Sequence, residues 1–552
     1  MEKKGAEIII ETLEKKGVRL VSGIPGGSNL PIYDALSKSR KITHILARHE
    51  QGAGFIAQGI ARTTGKAGVC IATSGPGVTN LLTALADAKL DSIPMIAITG
   101  QVASSLLGTD AFQEVDTYGL SLPITKHNFF IKNADEIEKT LFEAFWIAES
   151  GRPGPVLIDI PKDVQNQIID FISMEDESRF EPKEEWNEED LKKTAEKINR
   201  AQKPVLYIGG GVLSAEASQE IQTLSEKNSI PVVSTLMGLG AISSDHPLFS
   251  GMIGMHGAPC VNMMMEEADL IIVTGARFDD RATGKVDAFC KKASVIHIDI
   301  DKAEIDKIRK TDLYLAGDLK KIIGKLIPMI ESSKRENWIQ ETEKLKKEHP
   351  MPFPKKKYHP ASLIQRIGRE LPDDAIIITD VGQHQMWTAQ HYPFQKPRSF
   401  LTSGGLGTMG FGLPAAIGAA LANPDKKIIL FTGDGSFLMN IQELAVVHEW
   451  NLNITIIILN NRQLGMVKQQ QELFFAKNYF ASQFHYTPDF DSIGKGFGIR
   501  SIRIENETEE AKYFDDMIES KTPFLVEWMT DPDENVFPIV PPGKSNIEMI
   551  QE

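Results

Sequence analysis

Strand-length apolar runs recur between helical patterns along the whole chain, and this alternation constrains the fold more than any other feature. It predicts βαβ units on parallel sheets. At 552 residues there is room for about three domains of 100 to 200 residues each. Two stretches look alike. Residues 70–77 lead through a helical pattern into a strand at 94–100, and residues 429–435 lead through another into a strand ending at Asn460-Asn461. The echo predicts two domains of one fold, residues 1–165 and 360–545, around a different doubly wound domain at 190–330. The fold class is thus α/β, with three doubly wound parallel-sheet domains. The polar stretches 174–190 and 332–357 read as solvated linkers.

Composition excludes several classes. A formal net charge of −14 argues against nucleic acid or an anionic membrane as the main partner, since both demand a basic footprint. Cys70, Cys260 and Cys290 have no Cys-x-x-Cys spacing, so neither a disulfide framework nor a zinc site is expected. The first residues run into an amphipathic helix without a signal or transit pattern, and no apolar run approaches the about 20 residues of a membrane span. A cytoplasmic protein is expected.

Gly433-Asp434-Gly435 ends one strand and Asn460-Asn461 ends the next, so both meet at the carboxyl edge where open α/β sheets bind ligands. Carboxylate, amide and main-chain oxygens are hard donors that suit Mg²⁺ and a diphosphate. Either motif alone would read as a turn or a strand-end cap; the pair favours a metal-bound cofactor. Near the other end, Arg48-His49-Glu50-Gln51-Gly52-Ala53 places Glu50 where a strand gives way to a small-residue helix. On its residues alone, Glu50 reads first as a partner for the helix dipole.

Together these motifs resemble the thiamine-diphosphate enzymes, and the match spans essentially the whole chain. The resemblance makes Asp434, Asn461 and the carbonyl of Gln463 the Mg²⁺ ligands and Glu50 the acid that activates thiamine diphosphate. It places Gly26, Gly27, Gln383, His384, Gly407, Met409, Gly433, Gly435, Ser436 and Met466 around that cofactor, with Met409 supporting its bent form. Because Glu50 and the Mg²⁺ ligands lie on different domains, the resemblance also implies a homodimer with active sites at the interface.

The middle segment reads from its residues as strand, glycine turn and helix at Gly209-Gly210-Gly211, with a glycine turn lacking any nucleotide equally open. The later strand ends, at Gly275 to Arg281 and at Asp299-Ile300, carry arginines for phosphates and acids for ribose hydroxyls. With Thr235, Leu236, Met255 and His256 these segments look like the FAD-binding domain of the acetolactate synthases, also called acetohydroxyacid synthases; Arg152, Arg277, Arg281, Asp299, Ile300 and Asp318 fall to FAD by the same resemblance.

The activity so implied is decarboxylation of pyruvate and condensation of the resulting carbanion with a second pyruvate, giving acetolactate, or with 2-oxobutyrate, the first common step toward branched-chain amino acids. FAD is then structural. Gln113 and Lys162 border the reacting centre, Arg277 attracts the acceptor carboxylate, and a small regulatory subunit is a further implied partner. Gln470 stands where the commonest family pattern has tryptophan, which predicts weaker preference for 2-oxobutyrate. Two alternatives remain: a flavin-dependent 2-oxo acid oxidase or other carboligase of the same superfamily, and a noncatalytic nucleotide-binding protein.

Overall fold

A computed structural model describes residues 1–174 and 186–552. Among them are three six-stranded sheets whose strand pairings are all parallel. The first runs, side by side, Thr43–Leu46, Leu20–Gly23, Gly68–Ala72, Met95–Gln101, Pro155–Pro161 and His127–Phe130. The third runs Phe400–Leu401, Ile376–Thr379, Ile428–Gly433, Ile454–Asn460, Phe524–Met529 and Arg500–Ile504. Counted in chain order within each sheet, both read 2-1-3-4-6-5. The echo in the sequence is therefore a shared topology.

The middle sheet differs. Its order, Phe249–Met252, Val232–Ser234, Pro204–Ile208, Leu270–Thr274, Ser294–Asp299 and Leu313–Ala316, reads 3-2-1-4-5-6. In each sheet a crevice opens where the chain reverses its direction of travel across the strands. That point lies between Pro204–Ile208 and Leu270–Thr274 in the middle sheet, and between Ile376–Thr379 and Ile428–Gly433 in the third. Gly209, Gly275, Asp380 and Asp434 thus follow the strands at those crevices.

The first and third domains share one core. Helix Glu50–Thr64 lies against helix Gly412–Ala422 so closely that a Cβ on Gly59 would sit 2.1 Å from the Ala415 carbonyl oxygen, and one on Gly418 2.0 Å from that of Ile56. Only glycine permits such an approach. Phe55 meets Phe411 edge-on at 5.4 Å, and Ile45 and Ile376 belong to the same buried cluster. A buried ionic knot closes the joint. Arg62 Nη2 reaches Asp91 at 2.8 Å and Asp87 at 3.2 Å, and Nη1 donates to the Thr402 carbonyl at 2.9 Å.

Part of the expected linker at 332–357 is not solvated. Glu336–Glu348 is a helix that buries Trp338 to 2% exposure, with its Nε1 donating to the Pro204 carbonyl at 3.0 Å. Trp338, Thr342 and Leu345 recur at helical spacing and pack on the middle domain, but the Lys and Glu residues between them dominate the composition and hide the stripe. In the other expected linker, residues 175–185 lie outside the described residues, while Asn187 caps helix Glu188–Arg200. All three cysteines are buried and free. No helix among the described residues is long and apolar enough to cross a membrane.

Removing the cation of the knot tests its weight. Arg62→Ala leaves Asp87 and Asp91 buried without their counter-charge, and a loss of about 3 to 5 kcal/mol is expected. A shift of the urea unfolding midpoint to lower denaturant checks this; an unchanged midpoint would show that the two carboxylates need no partner.

Candidate active site

Loops from all three domains meet around one cavity of about 870 Å³. From the middle domain it is lined by Gly209, Gly210, Gly211, Thr235, Leu236, Met255, His256, Gly275, Arg277, Arg281, Asp299, Ile300 and Asp318, and from the first by Arg152. The third domain adds Gln383, His384, Gly407, Met409, Gly433, Asp434, Gly435, Ser436, Asn461, Gln463, Met466 and Gln470. Glu50, Gln113, Lys162, Gly26 and Gly27 are not part of this lining. One chain therefore brings together most, but not all, of the residues singled out in the sequence.

The metal end is built on Asp434, which is 1% exposed. Burial pushes its carboxyl up to about 7, although backbone N–H groups of Gly435, Arg462 and Gln463 oppose the shift. Its Oδ2 is buried without a partner, an arrangement that costs free energy unless a cation or donor completes it. Asn461 Oδ1 accepts the Gln463 N–H at 3.2 Å, and its Nδ2 donates to Gln383 Oε1 at 3.0 Å. A Cβ on Gly465 would fall 2.0 Å from Gln383 Oε1 and 2.4 Å from Asn461 Nδ2, so glycine keeps this corner open. Among the described residues no group of three His, Cys, Asp or Glu side chains converges for a metal. A cation here must draw on amide and main-chain oxygens, and that hard set fits Mg²⁺ with a diphosphate.

His384 lies beside this corner. Its ring faces Gly433, its Nε2 is buried without a partner, and burial pushes its pKa down to about 3, so the ring is neutral. Asp380 was not singled out in the sequence. Buried, with its carboxyl pushed up to about 6 by desolvation, it accepts the N–H groups of Val381, Gly410 and Gly412 at 2.9, 2.8 and 3.1 Å. It thereby fixes the glycine-rich segment that carries Met409. The signal was available: Asp380 follows its strand much as Asp434 does.

Asp87 and Asp91 were missed as well. Asp91 accepts the N–H groups of Gly404 and Gly405 at 3.1 and 2.6 Å, and Asp87 accepts the hydroxyls of Ser403 and Thr408. The first domain thus holds one side of the segment that Asp380 holds on the other.

At the far end the Gly211 N–H donates to the Gly275 carbonyl at 2.9 Å, drawing together the two loops of the crevice. Burial pushes the Asp299 carboxyl up to about 6. Asp318 accepts the Lys321 N–H at 2.9 Å and so caps helix Leu319–Leu326. Arg152 ties the first domain to the middle one through Glu304 at 2.7 Å and Asp301 at 3.1 Å. Arg277 pairs with Asp279 at 3.5 Å, while Arg281 is exposed beside Met255 Sδ. The buried His256 sets Nδ1 2.9 Å from the Pro538 carbonyl oxygen, and burial pushes its pKa down to about 4.

The remaining residues sit elsewhere on the first domain. Glu50 heads its helix half-buried, and its Oε2 accepts from Asn80 Nδ2 at 2.9 Å, a partner the sequence did not suggest. Gln113 has a φ of +62° and packs against Gly75. Lys162 is exposed at the first turn of Lys162–Asn166.

Two neutral, buried histidines make the site acid-sensitive. An unfolded histidine takes up a proton near pH 6.5, whereas His384 and His256 resist it until about 3 and 4. Their stabilisation is complete above pH 6.5 and is lost as the pH falls toward those values. Unfolding at pH 5 should therefore take up about one proton fewer in His384→Asn than in the unaltered chain, read from the pH slope of the unfolding free energy; equal slopes would refute this.

Family comparison adds an independent finding. Residues 3–120, 191–326 and 380–528 match, in turn, the N-terminal TPP binding domain, the central domain and the C-terminal TPP binding domain of thiamine pyrophosphate enzymes. The chain is 52% identical over 551 residues to the acetolactate synthase isozyme 1 large subunit of Escherichia coli, covering 99% of this chain and 98% of that one. It is 46% identical to the isozyme 2 large subunit of the same bacterium, covering 99% of each. Against the probable acetolactate synthase large subunit of Methanocaldococcus jannaschii it is 45% identical, over 99% of this chain and 95% of the relative. With thiamine-pyrophosphate domains from end to end and such identity over the full length, the chain belongs to the family of acetolactate synthase large subunits.

Proposed function

We propose that the chain decarboxylates pyruvate and joins the remaining two-carbon unit to a second 2-oxo acid, yielding acetolactate from pyruvate or 2-aceto-2-hydroxybutyrate from 2-oxobutyrate. The observation that carries the proposal is the partnerless, buried oxygen of Asp434 beside Asn461, at the end of a cavity formed by thiamine-pyrophosphate domains. Asp434, Asn461 and the Gln463 carbonyl would hold Mg²⁺, and Gly433, Gly435 and Ser436 would let a diphosphate approach the backbone. Thiamine diphosphate, when bound, supplies the electron sink that makes loss of CO₂ from a 2-oxo acid possible. Glu50 would hold a proton at its carboxyl oxygen toward the pyrimidine end.

The middle-domain end of the cavity suits FAD, with Gly209, Gly210 and Gly211 beside its phosphates and Asp299 beside a ribose. Met409 would press on the cofactor from the segment held by Asp380 and Asp91. Arg277 would draw in the acceptor carboxylate as a charge-assisted donor. Gln113 and Lys162 would enter the same centre from a second copy of the chain. Two features support such a homodimer: these residues and Glu50 lie off their own chain's cavity, and large apolar side chains such as Phe112 (88% exposed) and Phe480 (79%) face outward. The relatives are named large subunits, which supports a smaller regulatory partner. We place the enzyme in the cytoplasm.

Purified protein given pyruvate, Mg²⁺, thiamine diphosphate and FAD should release acetolactate and CO₂ without reducing an electron-accepting dye. Dye reduction in place of acetolactate would overturn the proposal in favour of an oxidase. Glu50→Gln should lower kcat by about 10²-fold or more. In mixtures of pyruvate and 2-oxobutyrate, the Gln470→Trp variant should raise the ratio of the larger to the smaller product by about tenfold, the worth of one methyl in an apolar pocket; an unchanged product ratio would remove Gln470 from specificity.

A further inference from the structure

Glu443 belongs to the third domain, on the turn Ile441–Glu443, yet its carboxylate is buried against the first. Its Oε1 accepts the Arg48 N–H at 2.9 Å, and the His49 N–H faces the same carboxylate. A Cβ on Gly52 would sit 2.5 Å from that oxygen, so the carboxylate occupies the room that glycine leaves. Two further bonds come from the same stretch of chain. Asn440 Nδ2 donates to Gln51 Oε1 at 3.0 Å, and Glu449 Oε2 pairs with Arg48 Nη2 at 2.6 Å. The residues on both sides of Glu50, at 48, 49, 51 and 52, are therefore gripped by segment 440–449, while Glu50 itself turns to Asn80.

Stability alone does not account for an acid at this position. Burial pushes the Glu443 carboxyl up to about 7, and its second oxygen has no partner. An apolar side chain would fill the space without that desolvation cost. It would not hold the N–H groups that precede the helix, and these are the groups that fix how the helix starts.

We propose that Glu443 is a positioning residue for Glu50: by clamping the backbone of Arg48 and His49, it sets the direction of the Glu50 carboxyl. The inference rests on the role given to Glu50 above. It also means that one continuous segment, from Asp434 to Glu449, carries both a metal ligand and the clamp on the activating acid.

The test uses the full-length protein. In the apoprotein, Glu443→Ala should speed amide hydrogen exchange across residues 47–53 by about tenfold and leave residues 433–436 unchanged. With thiamine diphosphate and Mg²⁺ bound but no pyruvate, exchange of the cofactor's C2 proton should slow by about tenfold or more, while the dissociation constant for thiamine diphosphate moves by less than about threefold. Glu443→Gln keeps an acceptor of the same reach and should restore C2 exchange to within about threefold of the unaltered protein. Should Glu443→Ala fail to fold, Glu443→Asp, whose acceptor is one methylene too short, should slow C2 exchange by an intermediate factor. Unaltered C2 exchange in the folded variants, or a fall matched by an equal loss of cofactor affinity, would overturn the proposal. An unaltered protein that neither binds thiamine diphosphate nor forms acetolactate would refute the role of Glu50 itself, whereas a fully active one with an indifferent Glu443→Ala would refute only the clamp.

Discussion

The contact between helices Glu50–Thr64 and Gly412–Ala422 is the constraint on which the rest of the molecule depends. It is made at backbone distance, across Gly59 and Gly418, and it fuses the cores of two domains whose strands pair only within their own sheets. Apolar packing gives this joint its strength but not a unique register, since small residues can slide past one another. The register comes from hydrogen bonds across the joint. Arg62, Asp87 and Asp91 pair within the first domain, and the donors and acceptors they have left meet the Thr402 carbonyl, the Ser403 and Thr408 hydroxyls and the N–H groups of Gly404 and Gly405 on the third. A displacement of even one residue would break these hydrogen bonds across the joint.

That joint determines how the cavity is shaped. The segment carrying Gly407 and Met409 has too many glycines to hold a conformation by itself. It is fixed from one side by Asp87 and Asp91 of the first domain and from the other by Asp380 of the third. Arg277 of the middle domain lies against Gly405, and Arg152 of the first reaches Asp301 and Glu304 of the middle. Each domain thereby shapes a wall that belongs to another. The cavity is a property of the assembled chain rather than of any one sheet.

This arrangement explains which parts were legible in the sequence. Parallel sheets were legible because buried strands must be apolar on both faces, and Ile376–Thr379 or Ile454–Asn460 can be little else. The strand-end motifs around the cavity were legible as a pair, since Gly433-Asp434-Gly435 and Asn460-Asn461 bring hard oxygen donors to one sheet edge, and most other positions came from the family resemblance. Those two motifs lie close in sequence, so their pairing could be seen. Asp87, Asp91 and Glu443 state a distant requirement: each sits on a helix or turn where an acid normally faces water, and nothing in the local spacing reveals that another domain will cover it. The helix Glu336–Glu348 was lost for the opposite reason, its few apolar residues being outnumbered by charges on the face turned to solvent.

The same joint accounts for the placement of Glu50. Its helix is anchored at both ends by the third domain, at the start through Glu443 and Asn440 and near the end through Arg62 and Thr402, a span of about 18 Å for twelve residues. A rod pinned twice cannot tilt to carry its first residue toward the chain's own Asp434. The rigid joint that completes one wall of the cavity thus keeps Glu50 out of its lining, and in the proposed function a second copy of the chain would supply that acid. Under the function proposed above, self-association would follow from the packing of two glycine-bearing helices rather than from the chemistry of the site.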